Sequence, residues 1–212
     1  MKISEIFYSI QGESTFAGKP CAFVRLAGCD LQCSYCDTEY AFSEGKELSI
    51  PEILQTIEAY PTRLVLVTGG EPLLQPSVHD LFRDLIVRGY TVLVETGGHR
   101  SLEKVDPRVH KIMDLKCPSS GMEQYNDYKN IDYLTSRDEL KFVVGDRNDF
   151  EWACNIIRRF RNSLEAVNIL FSPVYDRVSF QSLAEWILSC ELDVRMQLQL
   201  HKLIWPDKKR GI

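Results

Sequence analysis

The chain has 212 residues, 44% of them hydrophobic, which is enough to build the core of one large domain or two small ones and argues against disorder. Its formal net charge of −5 offers no basic field to a nucleic-acid backbone, and its longest apolar runs, such as Leu64–Val67, fall far short of the ~20 residues of a membrane span. The start, Met1–Glu5, lacks the apolar stretch of a signal peptide, so a cytosolic address is the expectation.

The first β-rich run is Ala22–Leu26. Ser49 with Glu52 three residues later predicts a capping box opening a helix through about Ala59, with Pro51 tolerated in its first turn. Leu64–Thr68 is the next strand, followed by a helix over about Ser77–Arg88 that carries Val78, Leu81, Phe82, Leu85 and Ile86 at helical spacing and Gly89 at its C-cap. Strands over Thr91–Glu95 and Lys111–Leu115 come next, and then Asn126–Tyr133, a polar segment that reads as peripheral. Leu140–Val144, a helix over Asp149–Phe160, Val167–Phe171, a helix over Ser179–Leu188 and a last strand over Val194–Gln199 complete the order. Such Val-, Ile-, Leu- and Phe-rich strands read as buried on both faces and parallel. Alternation of strand and helix predicts an α/β parallel sheet or barrel, wound right-handed. Without a repeat, a low-complexity tract or a Pro/Ser-rich linker, residues 1–212 read as a single domain.

Ligand-capable residues gather after the strands: Gly28-Cys29, Thr68-Gly69-Gly70-Glu71-Pro72, Glu95-Thr96-Gly97-Gly98, Asp114-Leu115-Lys116, Ser172-Pro173 and Gln199-Leu200-His201. Barrels and open α/β sheets place their sites at that end of the strands. One site built from many strands is the expectation.

Seven cysteines are present, an odd number, and in a reducing compartment clustered thiols point to metal binding or catalysis rather than disulfides. Cys29, Cys33 and Cys36 fall on one short segment, whereas Cys21, Cys117, Cys154 and Cys190 are scattered and read as small buried hydrophobes. A structural zinc ion takes four ligands, and only three are local here. A cubane iron–sulfur cluster takes one thiolate per iron, so three cysteines leave one iron open to a small molecule.

The Cys-x3-Cys-x2-Cys spacing, with aromatic Tyr35 before the last cysteine, resembles the radical S-adenosylmethionine superfamily, and Thr68-Gly69-Gly70-Glu71-Pro72 resembles that superfamily's second motif. Glycines there let the backbone approach the methionyl end of the cofactor, and Glu71 can accept from an ammonium group. Within the superfamily, Glu5–Ser14, Phe23–Cys29, Cys36-Asp37-Thr38 and the tail Gln199–Pro206 resemble the 7-carboxy-7-deazaguanine synthase family of the 7-deazapurine (queuosine) pathway.

That resemblance implies an incomplete, modified TIM-like β/α barrel. It also implies a lyase that contracts the ring of 6-carboxy-5,6,7,8-tetrahydropterin with loss of ammonia, using a [4Fe-4S] cluster, S-adenosylmethionine and Mg2+. Carried over residue by residue, it makes Cys29, Cys33 and Cys36 the cluster ligands and Thr38 the magnesium ligand, a hydroxyl suited to a hard cation; turn capping by Asp37-Thr38 is the alternative. It assigns Ile10, Gln11, Gly12, Arg25, Thr68 and Pro206 to the substrate. A guanidinium fork suits a carboxylate, and a lone arginine inside an apolar strand would otherwise be costly. It assigns Tyr35, Cys36, Asp37, Gly70, Asp114, Leu115, Lys116, Ser172, Pro173, Val174 and Tyr175 to S-adenosylmethionine. Glu95 and Thr96 read equally as site residues or as a cap and buried network, and His201 as a proton carrier or a structural residue.

The implied partners are the small pterin, an electron-donor protein such as flavodoxin or ferredoxin and a second copy in a homodimer, with no nucleic acid and no membrane. Three departures stand out. Gln11-Gly12-Glu13-Ser14 and Glu95-Thr96-Gly97-Gly98 replace the family's Gln-Gly-Glu-Gly and Glu-Thr-Asn-Gly, and the chain runs on past Pro206. Another small superfamily member, such as a glycyl-radical activase, and a zinc-binding module are the competing readings.

Overall fold

The computed structural model describes residues 1–208 and 210–212. Lys209, in the extension past Pro206, lies outside the described residues. Among the described residues nine strands form one sheet in the order β3-β1-β2-β4-β5-β6-β7-β8-β9. They are β1 (Lys2–Ile10), β2 (Pro20–Leu26), β3 (Lys46–Glu47), β4 (Leu64–Gly69), β5 (Thr91–Thr96), β6 (His110–Asp114), β7 (Glu139–Val144), β8 (Asn168–Pro173) and β9 (Arg195–Met196). From β2 to β9 every pairing is parallel, while β1 runs antiparallel to β2 and β3. The barrel is therefore open, with its two shortest strands, β3 and β9, at the edges.

Side-chain alternation separates two cores. Val24, Val65, Val67, Val92, Val94, Leu140, Phe142 and Phe171 face the helices, where they meet Ile53, Leu81, Phe82, Phe150 and Leu183. Their neighbours Cys21, Phe23, Leu64, Leu66, Leu93 and Ile112 turn inward and fill the barrel floor with Phe7 and Phe16. Each such side chain contributes about 1.5–3 kcal/mol by leaving water.

The helices start where their sequences dictate. Ser49 caps α1 (Ile50–Glu58) through a complete capping box with Glu52, and α2 (Val78–Val87) follows Ser77 and buries Val78, Leu81, Phe82 and Leu85. Asp146 caps α3 (Arg147–Arg159), the short α4 (Arg161–Leu164) follows, Ser179 caps α5 (Phe180–Ser189), and α6 (Leu200–Ile204) ends the series. No helix among the described residues is long and apolar enough to cross a membrane.

Three expectations change. The sheet is mixed, because the long β1 precedes the first expected strand; mostly half-buried, it shows no continuous apolar run. The strand expected over Val194–Gln199 forms ladder pairs only at Arg195–Met196, because the chain turns into α6 from Leu200; the Gln197 N–H still donates to the Phe171 carbonyl at 2.8 Å, while its carboxamide bonds Ser14 and Glu13 of the loop between β1 and β2. Asn126–Tyr133 is not peripheral: Asn130 is buried and ties together Leu102, Gly98 and Arg100, while Asn126 clamps the Lys116 backbone.

Candidate active site

Above the apolar floor the inward positions become polar. Register pairs Arg25 with Thr68 and Asp114 with Lys141, and Glu95 stands between them on β5. These five residues line the wall of a cavity of about 790 Å³ at the C-terminal ends of the parallel strands. The floor excludes water from below, and the loop between β1 and β2 crosses the barrel to β7, where the Thr15 N–H and hydroxyl donate to Glu139 at 2.9 and 2.6 Å.

The segment after β2 carries the three clustered thiols, all free, all partly exposed and all on this cavity. Ser34 bonds the Ser119 and Ser120 carbonyls, and Asp30 accepts His99 at 2.7 Å and also pairs with Arg100, so the loops after β5 and β6 hold the thiol segment in place. Burial pushes all three thiols above the ordinary cysteine range, and Lys116 opposes it at Cys33 and Cys36. The donor set suits a cluster with one open iron, since coordination removes the thiol proton outright. Cys21, Cys117, Cys154 and Cys190 are buried free thiols.

The Gly-Gly-Glu-Pro turn acts on that segment directly. Gly69 adopts φ +147°, and a Cβ on Gly70 would overlap the Gly28 carbonyl oxygen. The Gly70 and Glu71 N–H groups donate to the Leu26 and Gly28 carbonyls at 3.1 and 2.8 Å. Glu71, read from the sequence as an acceptor for an ammonium group, is fully buried and accepts from Leu73 N, Thr96 Oγ1 and Gly97 N. Its carboxylate joins the turns after β4 and β5, and Thr96 belongs to this buried network.

The remaining assigned residues divide. Ile10, Gln11, Gly12, Arg25, Thr68 and Pro206 all line the cavity, as do Tyr35, Cys36, Asp37, Thr38, Gly70, Asp114, Lys116, Val174 and Tyr175. Leu115, in contrast, packs into the outer core, and Ser172 and Pro173 are buried within β8. Arg25 Nε donates to Glu5 at 2.7 Å, and Tyr40 donates to the same carboxylate oxygen at 2.7 Å. Among the described residues the outer guanidinium nitrogens of Arg25 have no partner. Asp114 Oδ1 is likewise buried and unpartnered, a spare acceptor in the wall.

Sequence reading missed three charged residues. Lys141 interrupts the apolar run Leu140–Val144 much as Arg25 interrupts β2, so the same signal was present. Glu13 carried no assigned role, and Lys202 on α6 had no local signal; it pairs with Asp37 at 2.7 Å. His201 packs on Gly12, where any Cβ would overlap its ring.

An open β/α barrel with three free thiols on one segment facing its polar cavity matches the layout of a radical S-adenosylmethionine protein. The profile described as the Radical SAM superfamily matches residues 24–187. The chain is 48% identical to a 7-carboxy-7-deazaguanine synthase of Chlorobaculum tepidum, over 100% of its own length and 97% of the relative's. It is 42% identical to one from Koribacter versatilis, covering 100% of both chains. The chain belongs to the 7-carboxy-7-deazaguanine synthase family. Among solved structures, QueE from Escherichia coli shares the fold at TM-score 0.78 and 23% identity, with 93% of each chain covered.

Proposed function

We propose that the chain converts 6-carboxy-5,6,7,8-tetrahydropterin to 7-carboxy-7-deazaguanine with release of ammonia. Its identity of 48% to a named synthase over the whole chain carries this reading. When bound, the [4Fe-4S] cluster and S-adenosylmethionine supply the one-electron chemistry that takes a hydrogen atom from the substrate and returns it.

The chain's own residues do the rest. Cys29, Cys33 and Cys36 hold the cluster. Tyr35 donates to the Val143 carbonyl at 3.2 Å, so its ring is fixed against β7 for the adenosyl group, with Asp37, Gly70, Asp114, Lys116, Val174 and Tyr175 beside it. The Arg25 guanidinium, anchored at Nε by Glu5, turns its outer nitrogens to the pterin carboxylate. Gln11 spends its carbonyl on the Glu13 N–H at 3.2 Å and keeps its amide N–H groups for the ring edge, near Ile10, Gly12, Thr68 and Pro206. Thr38 offers Mg2+ one hydroxyl, leaving the other places to water and substrate oxygens. A flavodoxin or ferredoxin as electron donor and a homodimeric state complete the reading.

Purified anaerobically and given reductant, S-adenosylmethionine and the carboxytetrahydropterin, the protein should form the deazaguanine. No such product, with S-adenosylmethionine cleavage intact, would refute the reading and favour another superfamily activity. Stoichiometric zinc without iron or sulfide would favour the metal module.

A further inference from the structure

Lys141 is the one charged residue in its strand segment Leu140–Val144, and its side chain is only 4% exposed. Its ammonium lies 3.0 Å from Glu13 and 3.5 Å from Asp114, and it pairs with Glu95. Those carboxylates come from three separate elements, the loop after β1, β5 and β6. Burial disfavours the lysine's charge, but Glu13, Glu95 and Asp114 overcome it and hold its pKa well above the ordinary lysine range.

An apolar side chain would have been the simpler filling for this wall, since a buried ion pair rarely adds stability over well-packed hydrophobes. The arrangement is instead matched to the substrate of the proposed reaction, on which this inference rests. A carboxytetrahydropterin carries its carboxylate at one end of the fused rings and a row of N–H donors, the aminopyrimidinone edge, at the other. Arg25 stands on β2, and β4, β5 and β6 separate it from β7 and the acidic group. Gln199 and Gln197 steady Glu13 at 2.8 and 3.2 Å, and Thr68 steadies Glu95 at 3.3 Å.

We propose that Lys141 is a positioning residue for pterin binding: set among Glu13, Glu95 and Asp114, it cancels their mutual repulsion and aims Glu13 and Glu95 at the N–H edge of the ring.

The test uses the anaerobically reconstituted holoenzyme. Lys141→Met should raise KM for the pterin about tenfold or more while kcat falls less than about threefold, and Lys141→Arg, which keeps the charge, should recover most of the loss. Iron content, and S-adenosylmethionine cleavage without pterin, should stay near wild type, which a general structural failure would not allow. An unchanged KM in Lys141→Met overturns the proposal, as does a loss of cluster or cofactor cleavage equal to the loss in KM. If Lys141→Met does not fold, Lys141→Met/Glu95→Gln is compared with Glu95→Gln alone: a KM above that of the single variant supports the proposal, and an equal KM overturns it. A wild-type enzyme that makes no deazaguanine instead defeats the proposed reaction, before any variant is compared.

Discussion

Lys202 places its ammonium 2.7 Å from the carboxylate of Asp37, the residue that follows Cys36, and so joins the last helix of the chain to the cluster segment at its start. Burial raises the Asp37 carboxyl, but Lys202, Thr38 and His201 overcome it and hold its pKa at about 2. Lys202 also lies 5.5 Å over the Tyr175 ring, so one ammonium connects two segments assigned to S-adenosylmethionine.

Lys202→Met should therefore weaken S-adenosylmethionine binding about three- to tenfold, read by equilibrium binding to the reconstituted protein, with little change in melting temperature. The small stability effect follows because the pair is partly solvated, and such pairs contribute about 0–1 kcal/mol. A large drop in melting temperature with unchanged binding would make the contact structural.

Gly70→Ala should damage the cluster site without touching a cysteine. The added Cβ would overlap the Gly28 carbonyl oxygen and lie 2.8 Å from the Cys29 Cβ, contacts that backbone cannot easily give way to. Overpacking of this kind costs about 1–3 kcal/mol, and iron per chain after reconstitution should fall with it. Full iron occupancy in a variant of normal stability would show that the two turns need no such close approach.

Cys33→Ala should leave a folded protein that assembles no cluster and gives no product, and an active variant would remove Cys33 from the ligand set. Thr38→Ala separates metal from cofactor. Its hydroxyl donates to Asp37 at 2.9 Å at the cavity edge, so its loss should blunt the response of turnover to Mg2+ more than it affects S-adenosylmethionine cleavage. An unaltered magnesium titration would leave Thr38 as a turn residue.

His201 sets a pH dependence. Burial holds its imidazole below the ordinary histidine value, partly offset by Glu13 and Asp37. The unfolded chain takes up this proton near pH ~6.5 and the folded chain only at lower pH. The stability it contributes is thus complete above about pH 6.5 and is lost as pH falls from there through the folded value. Melting followed by Trp205, whose backbone N–H donates to the His201 carbonyl at 2.9 Å, should fall between neutral and mildly acid pH more steeply in wild type than in His201→Gln. Parallel slopes would show that His201 does not titrate on unfolding.

Read alone, the sequence determined the alternation of strand and helix, the helix cap at Ser49, and the cysteine segment with its Gly-Gly-Glu-Pro partner. Those features are local: a cap, a period and a ligand spacing are each complete within a few residues. It also marked Arg25, because a charge inside an apolar strand must have a partner. Tertiary structure alone decided that β1 runs antiparallel beside β2, that the Glu71 carboxylate ties Thr96 and Gly97 to its own turn, and that Lys141 gathers Glu13, Glu95 and Asp114. The reason is the same for each. Which polar groups meet inside a barrel depends on the register of neighbouring strands and on where loops cross them, and neither is encoded within any one segment.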